Sequence, residues 1–277
     1  MMDAELFQKK LNAAFDEIGR EHFAYDESEF WMYIHTYHYM EEYATENQLW
    51  NTLIALPMVR SLHNGVHRKG TVMIDGHAYH MPYVVHCLRV CQMLFDLHVP
   101  LSHEEKDILL ASALCHDVIE DVPFPNGGTE MVTLYKLDPR IYENVKTVSK
   151  RNNFTEEEHQ AYFDRIQENP FALLVKLSDR GSNVEDTYNM SIWKVHEYIA
   201  ETRKYFFPMC DYGIAHYPEL YGVFAILRDK MKTLTESAET LVVRFEEKES
   251  ALTERLNDLQ RENNRLRALL KEVEVIQ

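Results

Sequence analysis

Apolar residues recur at three- and four-residue intervals along most of this 277-residue chain, and strictly alternating runs are hard to find. That spacing puts apolar side chains on one face of a helix, so the pattern predicts an all-α fold. Residues 3–20, 28–45 and 47–63 read as amphipathic helices, the second dense in aromatics ("SEFWMYIHTYHYMEEYA"). Residues 82–98, "PYVVHCLRVCQMLFDLH", open on a proline suited to a helix start and continue with Val84, Val85, Leu88, Cys91, Leu94 and Phe95. Residues 102–121 begin with "SHEE", a Ser-x-x-Glu capping box, and run through Ile108, Leu109 and Leu114. "PFPNGG" (123–128) ends that helix. Shorter helices are expected at 129–136, 139–150, 155–168 and 170–178, and a longer one over 190–210.

The pattern changes near the end. From residue 236 there is no proline or glycine, and Leu252, Leu256, Leu259, Asn263, Leu266, Leu270 and Val273 recur in alternating steps of four and three. With Leu252, Leu259, Leu266 and Val273 at d and Leu256, Asn263 and Leu270 at a, this is a heptad seam. A single Asn at an a position favours a parallel dimer, so a homodimer through this helix is expected, a helix folding back on the body being the alternative. The chain thus divides into a helical extension (1–60), a body (61–235) and a coiled-coil helix (236–277).

Composition narrows the function. A hydrophobic share of 45% with 12% aromatics supports a real core. Against 45 Asp and Glu there are 29 Lys and Arg, a formal charge of -16 that disfavours nucleic acid and anionic membranes as partners. A small anionic substrate then needs local cations or a metal. The N-terminus shows no basic-then-apolar signal pattern, so a cytoplasmic location is expected. The four cysteines form no C-x-x-C pair and read as buried thiols.

The chemistry gathers in "ALCHDVIEDV" (113–122). On a continuous helix Glu120 lies one turn beyond His116 and Asp117, and Asp121 one turn beyond Asp117. Three carboxylates that close together repel unless a cation, from Arg, Lys or a divalent metal, sits among them. Two other places supply metal ligands. His86 sits alone in an apolar helix, and Asp179 in "LLVKLSDRGSN" follows a run that should be buried. His86, His116, Asp117 and Asp179 would make a two-His, two-Asp site suited to Mn²⁺, Fe²⁺ or Zn²⁺.

In this order the residues resemble the HD-domain metal-dependent phosphohydrolases, and most closely the RelA/SpoT-type alarmone hydrolases, including the small hydrolase-only members. "HNGVHRKG" (63–70) is similar to their H-x-G-x-x-R-K-x-G opening, and "PYVVHCLRV" to P-Y-[IV]-x-H-P. "LCHDVIEDV" contains H-D-x-x-E-D, "VKLSDRGSN" resembles V-K-L-A-D-R-x-x-N, and "ETRKYFFPMCDYGI" resembles the E-T-x-x-x-Y-x-P segment that follows. The resemblance covers about residues 60–215. It implies an all-α fold, His86, His116, Asp117 and Asp179 as ligands of Mn²⁺, and Glu120 and Asp121 as the acidic pair that orients or activates water. It also implies Arg68, Lys69 and Asn183 as contacts to a nucleotide, and hydrolysis of the 3′-diphosphate of (p)ppGpp to GDP or GTP and pyrophosphate. The synthetase half of the long members has no counterpart in the roughly 60 residues that follow, too few for a second catalytic domain.

The chain also departs from that pattern. "TVMIDGHAYH" (71–80), carrying His77 and His80, is inserted beside the expected substrate side and reads as a surface hairpin, with a lid as the alternative. Gly181 stands where a bulky residue is usual, Ser182 replaces a common His, Glu185 and Asp186 are acidic where a basic residue is frequent, and "FPMCDYG" lacks a His-Arg pair. The metal set is whole; the departures fall on the nucleotide pocket. Two alternatives therefore stand beside the alarmone: a nucleotidase acting on another nucleotide or NADPH, and an idle nucleotide-binding module signalling through its coiled coil.

Overall fold

The computed structural model describes residues 4–124, 126, 128–150 and 154–274, the side chains of 188, 189 and 270–274 excepted. The fold is all-α, and a two-stranded hairpin is the only sheet among the described residues. The N-terminal part comprises α1 (Ala4–Ile18), the 3₁₀ turns Arg20–Phe23 and Glu27–Met32, α2 (Ile34–Glu46) and α3 (Trp50–Leu62). The hairpin, β1 (His67–Ile74) and β2 (His77–Pro82), leads into α4 (Val84–Asp96), α5 (His103–Cys115) and the single turn α6 (Val118–Asp121). Then come α7 (Thr129–Tyr135), α8 (Pro139–Val148), α9 (Glu156–Gln167) and α10 (Pro170–Glu185). α11 (Ile192–Glu201) and α12 (Phe207–His216) flank a π-helical turn at Thr202–Phe206, and α13 (Tyr221–Glu274) ends the described chain.

The centre is α5, buried on every side from Asp107 to Cys115. A helix apolar all round must sit inside others, and α3, α4 and α8 enclose it while α10 packs across α4. Gly181 permits that last approach, since a Cβ there would lie 3.0 Å from Met93 Sδ on α4. The predicted capping box at α5 is present, Ser102 and Glu105 satisfying each other's backbone N–H groups. One buried acid ties α3 to this centre. The Asp107 carboxylate accepts from the N–H groups of Asn51 (2.9 Å) and Thr52 (2.8 Å), capping α3 from a neighbouring helix.

Four helices differ from the pattern-based expectation, each for a local reason. The segment 28–45 starts as the 3₁₀ turn capped by Asp26 and becomes α-helical only after Tyr33. That start turns Phe30 and Tyr37, with Tyr25, onto the buried Arg60 guanidinium, which lies 3.0 Å from the Tyr25 ring centroid. The helix expected over 102–121 stops at Cys115 and restarts at Val118. The one expected over 170–178 continues to Glu185, because its polar residues face inward. The helix over 190–210 is interrupted by the π turn just before Pro208, which has no N–H to give a regular helix.

The insert forms the expected hairpin, turning at Asp75-Gly76 with both residues at positive φ (50° and 81°), a geometry that Asp-Gly accepts readily. Trp31 meets Tyr79 edge-on at 5.5 Å, and Glu29 Oε1 lies 2.7 Å from His67 Nε2, fixing the hairpin to the N-terminal part. The four cysteines are free and buried. No helix among the described residues is long and apolar enough to cross a membrane.

Replacing Asp107 by Ala leaves the α3 N–H groups without acceptors inside the protein. The expected loss is about 3 kcal/mol of unfolding free energy, read from urea denaturation monitored by circular dichroism.

Candidate metal centre

Three helices meet where the sequence analysis placed the ligands. His86 comes from the first turn of α4, His116 and Asp117 from the break after α5, and Asp179 from the middle of α10. The break explains itself geometrically. Successive residues on a helix point about 100° apart, so a regular helix could not aim both His116 and Asp117 at one point. Asp117 leaves the helix at φ -97°, ψ -4°, which brings its Oδ2 to 2.9 Å from His116 Nε2.

The other donors close the set. His86 Nε2 lies 3.2 Å from His116 Nε2, 3.2 Å from Asp179 Oδ1 and 3.6 Å from Asp117 Oδ2, and His116 Nε2 lies 3.8 Å from Asp179 Oδ1. A cation held at about 2.1 Å by each ligand separates neighbouring donors by roughly 3.0–3.4 Å. The observed spacings, from 2.9 to 3.8 Å, bracket that range. His86, His116 and Asp179 are buried and close enough together to share a metal, and Asp117 Oδ2 stands beside the two imidazoles at 2.9 and 3.6 Å.

The outer nitrogens confirm how the rings are aimed. His116 Nδ1 donates to the Ala113 carbonyl (2.8 Å), which leaves a bare Nε2 lone pair facing inward on the neutral ring. His86 Nδ1 lies 3.0 Å from Ser182 Oγ, which orients the ring. Two imidazole nitrogens at 3.2 Å beside two carboxylates need a positive charge between them. The titration behaviour says the same. Burial would lower His116, but Asp117 and Asp179 push it up to about 9. Burial would raise Asp117, yet His116 holds it well below the usual carboxylate range. His86 is lowered by burial, with Asp179 opposing.

Asp179 is held from two sides. Lys176 Nζ lies 3.0 Å from Oδ2, and Asn183 Nδ2 donates to Oδ1 at 2.6 Å. The ammonium therefore grips the oxygen turned away from the histidines. Tyr83 OH donates to Asp117 Oδ2 at 2.6 Å, and its ring packs at 5.0 Å against the buried ring of His63. Burial lowers His63 to about 4, so it stays neutral beside the centre.

Glu120 and Asp121 stand at the rim on different sides. Glu120 Oε1 accepts the Lys150 N–H (2.6 Å) and feels the charge of Lys176. Surrounding protein raises its carboxyl above the ordinary value although the side chain is largely exposed. Asp121, raised by burial and by repulsion from Asp117, lines a cavity of about 520 Å³ together with Arg68, Lys69, Tyr83, Arg89 and Asp186. Val72 and Met81 make this cavity's hairpin wall, and Lys194 and Tyr198 stand opposite.

Not every expected substrate contact is free for substrate. Arg68 Nη2 donates to Asn183 Oδ1 (2.7 Å) and Asp186 Oδ2 (3.1 Å), and Arg89 Nη1 donates to Asp186 Oδ1 (2.6 Å). Asn183 thus braces Asp179, and Arg68 is neutralised within the protein, while Lys69 remains exposed on the cavity wall. Tyr83, Lys176, Ser182, Arg89 and His63 escaped the sequence reading as parts of the centre. The first four adjoin the expected ligands in sequence or by one helical turn, a spacing that carried the signal.

Mn²⁺ added to metal-free protein should raise its melting temperature, and Asp179→Asn should abolish most of that rise. Ser182→Ala, which removes the partner of His86 Nδ1 but no ligand, should weaken Mn²⁺ affinity about tenfold in titration calorimetry. No protein-family model matches the chain, and no curated protein matches it.

Proposed function

We propose that the chain is a metal-dependent phosphohydrolase of the HD type acting on a nucleotide. Hydrolysis of the 3′-diphosphate of (p)ppGpp to GDP or GTP and pyrophosphate is the reaction its motif order favours. The observation that carries this reading is the convergence of His86, His116, Asp117 and Asp179 within 3.8 Å about His116 Nε2 and His86 Nε2, beside a cavity edged with cations. A bound divalent cation, Mn²⁺ by expectation with Fe²⁺ or Zn²⁺ as alternatives, lowers the pKa of water and neutralises phosphoryl oxygens.

The residues divide the remaining work. Glu120 takes the proton of the attacking water, a task suited to a rim carboxylate raised above its ordinary value. Asp121, on the cavity side next to Tyr83, positions that water or supports the leaving group. Lys69 offers an exposed ammonium to phosphate, and Tyr83 keeps the Asp117 carboxylate turned toward the histidines. The cavity of about 520 Å³ accommodates a nucleotide-sized ligand.

One feature favours a second reading, the same chemistry on a different nucleotide. Asp186 bridges Arg68 and Arg89 inside the cavity, so two guanidiniums that could grip a diphosphate are already paired. A substrate with less charge at that position fits better.

Incubation of purified protein and Mn²⁺ with ppGpp, other nucleotides and NADPH tests the reading; release of pyrophosphate from ppGpp supports the alarmone, and turnover of none overturns the enzyme. Glu120→Gln with Asp121→Asn should abolish turnover while Mn²⁺ affinity is kept. Asp186→Asn should lower KM for an anionic substrate roughly fivefold, the equivalent of about 1 kcal/mol for a partly exposed pair.

A further inference from the structure

We propose that residues 252–269 of α13 pair with the same segment of a second copy of this chain as a parallel, in-register, two-stranded coiled coil. The first part of α13 belongs to the body: Phe224, Leu227, Met231, Thr235, Ala238 and Val242 are buried. After Val242 every described residue is exposed, and the last contact with the body is His196 Nε2 to Glu246 Oε1 at 3.1 Å. Beyond it the helix runs on with Leu252 70%, Leu256 55%, Leu259 53% and Leu266 51% exposed. Most helical stability in proteins comes from packing an apolar face, so an exposed apolar stripe along it calls for a partner.

The chain's own body cannot cover the stripe. Ala238 and Val242 hold the d and a positions of the same heptad frame, and the body covers that frame no further than Val242. Folding back would need a break, and residues 243–269 contain neither proline nor glycine. A second copy can cover it without displacing anything.

Charge and polarity select both the partner and its direction. In the heptad frame Glu262 is at g and Arg267 at e of the following heptad. In a parallel pair Glu262 therefore meets the partner's Arg267, and symmetry makes that contact twice. Asn263 at a faces the partner's Asn263 only when the helices are parallel and unshifted, where the two amides bond to each other. In an antiparallel pair it would face a d-position leucine with its amide unpaired. This arrangement sets two metal centres at the same end of one stalk, each complete within its own chain.

Light scattering on the full chain tests the proposal. At tens-of-micromolar concentration the expected mass is twice the 32.7 kDa of one chain. Leu256→Asp with Leu259→Asp should give a monomer whose body melts as in the unmodified protein, because both positions are exposed in the single chain. Leu266→Cys should cross-link quantitatively on mild oxidation, the native cysteines being buried. A monomeric unmodified protein, or a dimer that survives the double aspartate variant, overturns pairing through the seam. A dimer that fails to cross-link through residue 266 overturns the parallel register.

Discussion

Two imidazole nitrogens 3.2 Å apart, flanked by the buried Asp179 and the partly buried Asp117, form an arrangement that calls for positive charge at its centre. Much of the surrounding fold serves to hold that arrangement. The α5–α6 break exists so that His116 and Asp117 can aim at one point, and α10 stays helical through a polar stretch so that Asp179 and Asn183 face inward. Gly181 against Met93 sets the separation of α4 and α10, and hence of His86 from Asp179. A proton on His116 can supply the charge, and Asp117 and Asp179 raise its pKa against the effect of burial. The donors of His86, His116 and Asp179 also stand close enough together to share a metal ion.

The centre was legible in the sequence where a residue stood out against its own element. His86 is a lone histidine in an apolar helix, and Asp179 a lone acid after a buried run; both are where that contrast put them. The α5 start was readable because Ser102 and Glu105 carry a complete local device, and the hairpin because Asp75-Gly76 does. The interruptions were not readable. Periodicity reports which face is apolar, and the break at Asp117 keeps its neighbours buried on both sides, so the pattern runs straight through it. The end of α10 was lost for the opposite reason: "SDRGSN" looks like a polar loop, and only the third dimension shows that these side chains are buried against other polar groups.

Asn183 and Arg68 carry their load inside the protein. Asp186 draws Arg68 and Arg89 into an internal network. Asn183 joins that network to Asp179, because it accepts from Arg68 and donates to Asp179 Oδ1. The net charge of -16 is opposed locally at the cavity, where Arg68, Lys69, Arg89 and Lys194 gather.

The central claim is that one divalent cation is bound jointly by His86, His116, Asp117 and Asp179. Pulsed electron paramagnetic resonance of the Mn²⁺-loaded protein tests it most directly, by counting nitrogen nuclei coupled to the metal. The account predicts two imidazole couplings, one lost in His86→Ala and the other in His116→Ala. A manganese signal with no nitrogen coupling, or one unchanged by both substitutions, would contradict it.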